Sequence, residues 1–277
     1  MINRWIGIAT LGLMLSANAA LLVRDVLPDW LAGEPPASPA LGLSPGQELY
    51  VQFGLFDREL RRVGYSWTIS QRSGELVEVR HVTVLQPLRL ADDVQLPLLR
   101  IETDLNYHGR STLDTLRVRV YGFGFPIRLE GEFYPPDDFP CEWQVDERRG
   151  KLHLPASATR ALGDVVRPFD SLSGLEVGRS WRVKLLNPLA GLVPDWGPRN
   201  WVGNSLVVRV TGTERVEHRG TWREAFVVEA DRLRAWVLPD GRVIRQELEL
   251  PLFGTLVLVD EPYDPDLRAA VLQQSFR

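Results

Sequence analysis

The chain has 277 residues, is 44% hydrophobic and 25% charged, and carries a formal net charge of −4. This is ordinary globular material with enough apolar content for a core, and its acidic balance excludes the basic face that a nucleic-acid partner requires. Cys141 is the single cysteine, which excludes an intrachain disulfide and any cysteine-based zinc site.

The first predicted element is "WIGIATLGLMLSANAALLV", Trp5 to Val23, which contains no charge. As a helix it spans roughly 28 Å, close to the hydrocarbon thickness of a bilayer. Ala17 and Ala19 form an A-x-A site suited to cleavage after export, but the apolar run continues past it through Val23, longer than a cleaved segment needs. The retained anchor is the reading adopted. Arg4 on the leading side places the amino terminus in the cytoplasm, so residues 1–24 are expected to be a single-pass signal anchor in the inner membrane, with the body in the periplasm or otherwise outside the cytoplasm. No cysteine follows, so a lipoprotein anchor is excluded. Residues 25–47, which include "AGEPPASPALGLSPGQ", read as a semi-stiff Pro/Ala/Gly-rich linker, and residues 48–277 as one β-rich extracytoplasmic domain.

From Glu48 the chain alternates with a period of two. Leu99, Ile101, Thr103, Leu105 and Tyr107 share one face against Arg100, Glu102, Asp104 and Asn106. Leu116, Val118 and Val120 oppose Arg117 and Arg119, and Ile127, Leu129 and Phe133 oppose Arg128, Glu130 and Glu132. Trp181, Val183 and Leu185 oppose Arg182 and Lys184, and Ile244, Leu248 and Leu250 oppose Arg245, Glu247 and Glu249. This is the signature of half-buried antiparallel strands, about ten to twelve of them, joined by hairpins as a meander. In "AWVLPDGRVIRQELELP" Pro239 presets a turn, Asp240 fits its second position and Gly241 supplies positive φ, which predicts a short hairpin loop with a Gly bulge. Further turns are expected at Gly74, Gly109 and Gly220.

Helical spacing is confined to Ala158, Ala161, Leu162 and Val165, and to the carboxyl end. There Asp264 can cap and Pro265 can open a helix whose Leu267, Ala270, Val271 and Gln274 face the body. "VGYSW" at 63–67 recurs as "VGRSW" at 177–181, each with a Phe-Asp pair upstream, which reads either as two related half-sheets or as two strands that begin alike. A large sheet with one apolar face must bury it, so the expected fold is mainly β: a curved antiparallel meander, as an open barrel or half-barrel, with one or two short helices behind an N-terminal transmembrane helix.

Between the last strands lies "LLNPLAGLVPDWGPRNWVG", residues 185–203. A connection this long and apolar is unusual. It reads as a plug that closes one end of the barrel or as a lid or docking patch, and Leu189, Leu192, Val193, Trp196 and Trp201 are its candidate ligand or partner contacts. No residue set for chemistry emerges. His81, His108, His153 and His218 lack metalloprotease spacing, and no nucleophile elbow, phosphate loop or dinucleotide fingerprint is present. Cys141 with His153 and an Asp would be a thiol triad only if Cys141 were activated, and its stretch "DFPCEW" is extended and acidic. Neither a catalytic residue, a metal nor a cofactor is expected.

The layout of a leading apolar segment, "RRVGYSWT", a long meander and the late "AWVLPDGRVIRQELELPLFG", with its W-x-x-x-D-G-R-V hairpin, resembles bacterial envelope open β-barrel proteins. These are the Lol-type and LppX-like lipid and lipoprotein carriers, and the β-rich domains found beside transglutaminase-like proteases. The similarity covers roughly residues 48–263. It implies a curved sheet around an apolar cavity, and binding or chaperoning in place of catalysis. The expected function is therefore a membrane-tethered, non-catalytic protein that binds a lipid or acyl chain in an open barrel. The alternative is an accessory subunit with a filled barrel, docked on a membrane complex such as an exporter.

Overall fold

The computed structural model describes Gly33 and residues 42–274, apart from 92–93, 110–111, 123, 135–137, 156–171, 187–201 and 251–253. The expected anchor at 1–24 and the helix expected around Ala158–Val165 lie outside the described residues. Among the described residues, no helix is long and apolar enough to cross a membrane.

The elements in chain order are β1 (Glu48–Phe56), β2 (Arg62–Ser73), β3 (Leu76–Leu85), β4 (Leu88–Ala91), β5 (Val94–Leu96), β6 (Leu99–His108), β7 (Thr112–Tyr121), β8 (Ile127–Glu132), β9 (Asp138–Val145) and β10 (Arg148–Pro155). They continue as β11 (Ser180–Leu186), β12 (Val202–His218), β13 (Thr221–Ala230), β14 (Leu233–Val237), β15 (Val243–Leu250), β16 (Gly254–Glu261) and α1 (Pro265–Gln274). The chain is mainly β, as its alternation predicts. The strand count is higher than expected, with 14 strands in one antiparallel sheet and β4–β5 as a separate hairpin. The short strands β4 and β5, of 4 and 3 residues, carry too few alternations to be counted from sequence.

The sheet order is β10-β9-β8-β7-β6-β3-β2-β1-β16-β15-β14-β13-β12-β11. It is two meanders joined where the first strand meets the last, with Phe53 opposite Asp260 and Leu55 opposite Leu258. Among the described residues, apart from the β4–β5 excursion, every sequence neighbour pairs except β10 and β11, so the described sheet is open between them. The curvature follows from the core. Leu99 of β6 and Trp181 of β11 belong to one contiguous apolar cluster, although nine strand spacings would separate them by about 43 Å on a flat sheet.

Register and alternation define an inner and an outer face. The inner face carries two apolar cores. One, around Val77, Val79, Leu105, Leu113, Leu116 and Phe139, fills β3 and β6–β9. The other, around Phe53, Leu55, Val208, Val210, Val237 and Trp181, fills the rest of the barrel. The outer face is not uniformly polar. Trp67, Val82 and Val84 form a cluster there with Tyr65, Tyr263, Leu267, Val271 and Leu272, so α1 covers the outside of β2 and β3. Trp181 belongs to the inner core, whereas Trp236 packs outside with Val227, Leu238 and Ile244.

α1 begins as its sequence dictates. The Asp264 carboxylate accepts from the backbone N–H groups of Asp266 and Leu267, both at 3.0 Å, satisfying donors that a helix start leaves orphaned. Its packed face differs from the expected one. Leu267 and Val271 face the body, but Ala270 and Gln274 are exposed and Leu272 takes their place. Arg100, expected in water, is buried beneath this helix, with Nη1 3.5 Å from the Leu272 carbonyl and an ion pair to Glu102.

The Pro239-Asp240-Gly241 loop is built as predicted. The Gly241 N–H donates to the Leu238 carbonyl and the Leu238 N–H to the Arg242 carbonyl, each at 2.8 Å, with Gly241 at φ 90°. A Cβ on Gly241 would stand 2.8 Å from the Leu172 carbonyl oxygen, which explains why the turn tolerates no side chain there. The outer arginines pair across strands with glutamates: Arg117 with Glu130 at 3.2 Å and Arg119 with Glu102 at 3.2 Å. Cross-strand pairs of this kind are modest stabilisers that also fix register.

Candidate functional site

A buried polar seam separates the two inner cores. Alternation on β2 places Ser66, Thr68 and Ser70 inward, and the register sets Thr68 opposite His81 and His81 opposite Thr103. All of these side chains are buried. His81 Nδ1 lies 2.9 Å from Thr68 Oγ1, and Nε2 lies 2.9 Å from Thr83 Oγ1 and 3.4 Å from Ser66 Oγ. The Thr83 hydroxyl donates to Ser66 Oγ at 3.1 Å. Buried polar groups are tolerable when paired in this way. Thr103 Oγ1 is the exception: it is fully buried and has no hydrogen-bond partner.

A second cluster lies near the barrel mouth. Asp260 faces inward from β16, opposite Phe53. Its Oδ2 accepts from His218 Nε2 at 2.8 Å and from Arg219 Nη2 at 2.9 Å. His218 ends β12, four strands from β16, a separation of about 19 Å on a flat sheet. The β12–β13 hairpin therefore folds across the end of the barrel. Its turn is Arg219-Gly220, both at positive φ (52° and 74°), the twist that a two-residue hairpin loop prefers. A bulge at Thr211, between Val210 and Gly212, lets β12 bend toward the mouth.

A nucleophile–base pair needs a hydrogen bond of about 2.6–3.2 Å with substrate access; Ser66 stands farther from His81, and both are buried. The second ring nitrogen of His81, which a carboxylate would orient in a triad, faces Thr68. One oxygen of Asp260 takes both of its cationic partners. Cys141 is fully buried, and burial first, then the neighbouring Asp138 carboxylate, pushes its thiol up to about 12. Such a thiol stays protonated and unreactive at neutral pH. His153 does not join it: the side chain is exposed and pairs with Asp138 at 3.2 Å, and its strand position is opposite Pro140, not Cys141.

Leu189, Leu192, Val193, Trp196 and Trp201 lie outside the described residues; their segment links β11 to β12. One groove of about 610 Å³ among the described residues, between Arg58, Leu60, Glu229, Arg232, Arg234 and Glu247, is charged and open. Arg234 and Arg245 lie over the Trp236 ring beside it, at 4.8 and 5.4 Å. Sequence reasoning missed Asp260, His218, Arg219 and the His81 cage. The "EHRGTW" motif marks the hairpin turn, but nothing local to Asp260 signals a partner 42 residues away.

No family model matches the chain, and no curated protein matches it. Among solved structures the chain is similar to the crystal structure of a β-barrel-like protein of a domain of unknown function, DUF1849, from Brucella abortus. The identity is 9%, the match covers 80% of this chain and 100% of that one, and the TM-score is 0.46.

Proposed function

We propose that the chain is a membrane-tethered, non-catalytic envelope protein that acts as an accessory subunit, held in the inner membrane by residues 5–23 and docked on a membrane complex. The observation that carries this reading is the filled inner face. Phe53, Leu55, Leu105, Leu113, Leu116, Phe139 and Trp181 are all buried to 2% exposure or less. A carrier of a lipid or acyl chain needs a largely apolar void for its ligand, and the packing of these described side chains against one another supports the docking reading instead. The groove beside Arg234 and Glu247 is charged, which suits protein contact more than lipid. The open seam supports docking as well. Among the described residues β10 pairs only with β9, so one backbone edge is available for strand addition. Arg148, Arg149 and Lys151 on that strand are exposed, a protection against indiscriminate pairing.

The test is extraction of the full chain from its native membranes in mild detergent. The reading expects resistance to carbonate washing, migration in an assembly larger than the monomer, and no stoichiometric lipid. A monomer carrying about one acyl chain per protein would overturn it in favour of the carrier.

A further inference from the structure

Antiparallel order sorts the connections to two ends of the barrel. One end holds Leu60 and the turn of Phe125. The other holds the tip of the β12–β13 hairpin, the β8–β9 connection, residues 172–179 and the start of α1. We infer that this second end rests against the lipid surface of the membrane that holds residues 5–23, with Trp222 as its main contact.

Three observations converge. The second end exposes Trp222 to 59%, Tyr134 to 55% and Val177 to 60%. An indole and a phenol there fit the boundary between water and acyl chains, where one side of the ring is wet and the other is not. The hairpin also aims its tryptophan. His218 and Thr221 are opposite each other, as are Glu217 and Trp222. His218, which bonds Asp260, and Trp222 are thus on opposite faces of the hairpin, and Trp222 is exposed. Finally, Gly33 fixes a chain direction. The Gly33 N–H donates to the Ser180 carbonyl at 3.0 Å, and Gly33 pairs in parallel with Trp181 at the start of β11. The chain at Gly33 therefore runs in the direction of β11, which starts from the second end, and ten residues, the separation of Val23 and Gly33, span at most about 35 Å.

The inference rests on the tethered reading, and the experiment separates the two. The full chain is reconstituted in phosphatidylethanolamine–phosphatidylglycerol nanodiscs with an environment-sensitive thiol probe at Glu224→Cys, which shares the face of Trp222, or at Leu60→Cys at the opposite end. Buried Cys141 does not compete for the probe. Nitroxide-labelled lipid is expected to quench the probe at position 224 several-fold more than at position 60, and Trp222→Ser is expected to abolish the difference without releasing the chain in carbonate. Equal quenching at the two positions, or quenching at 224 that ignores Trp222→Ser, in a chain that stays with the membrane overturns the inference and leaves the tether standing. Release of the chain by carbonate overturns both.

Discussion

Trp67 and Trp181 close two nearly identical pentapeptides, VGYSW and VGRSW, yet they lie on opposite faces of the sheet. Trp181 is in the inner core with Phe53 and Leu55. Trp67 is outside, beneath α1, with its indole N–H donating to Gln52 Oε1 at 2.9 Å. The backbone before each tryptophan makes the difference. In the first copy the register slips between Leu55 and Phe56, a bulge at Val63 that resets which residues point inward. In the second copy Val177 and Gly178 are not strand at all: Gly178 sits at φ 89° in a turn, and Val177 is exposed. The two copies therefore do not occupy equivalent positions in the sheet. A one-residue irregularity outweighs four identities.

The largest test of this comparison is a pair of truncations. Trp181→Ala and Trp67→Ala should each destabilise the body by about 3–5 kcal/mol in a denaturant melt, since each empties a buried aromatic site. Removal of residues 264–277 should then erase most of the Trp67→Ala cost and leave that of Trp181→Ala intact, as coupled and uncoupled sites require. Equal effects in the truncated chain would mean that α1 does not cover Trp67.

Asp260→Asn sharpens the account of the hairpin, which is fixed by side chains where the rest of the sheet is fixed by ladders. Losing a charge-assisted acceptor for two donors should cost about 1.5–3 kcal/mol. The loss should appear as faster amide exchange confined to the tip around Arg219 and Gly220; unchanged exchange there would show that the tip is held by something else. Gly241→Val should cost about 1–3 kcal/mol, because a β-branched residue is strained at positive φ and its Cβ meets the Leu172 carbonyl. An unmoved denaturant midpoint would contradict the turn.

How far the sequence carried this reading depended on the range of the interaction. Alternation located strand faces at β6, β7 and β8, and local chemistry at Asp264 and at Pro239–Gly241 set the helix start and the hairpin. Each of these is decided within a few residues. Arg100 was misplaced because a helix more than 160 residues away covers it. The seam was invisible for a related reason: Ser66, Thr68 and Ser70 alternate with Tyr65, Trp67 and Ile69, and the larger side chains suggest the wrong inside. Asp260 needed the bend of β12, which only the assembled sheet shows.

The smallest effect has the opposite sign. Thr103→Val replaces a buried hydroxyl that lacks a partner by a methyl of the same shape, and should raise stability by about 1 kcal/mol. A loss of stability would show that Thr103 is hydrogen-bonded after all, and that the seam is more completely satisfied than its geometry states.

The central claim is that the inner face is filled by its own side chains and holds no apolar ligand. The most direct measurement is a titration of the detergent-solubilised full chain with a brominated fatty acid, following tryptophan emission in the native chain and in Trp181→Phe. A filled barrel predicts no saturable quenching assignable to Trp181. Saturable quenching that disappears in Trp181→Phe would place an acyl chain in the barrel and contradict the account.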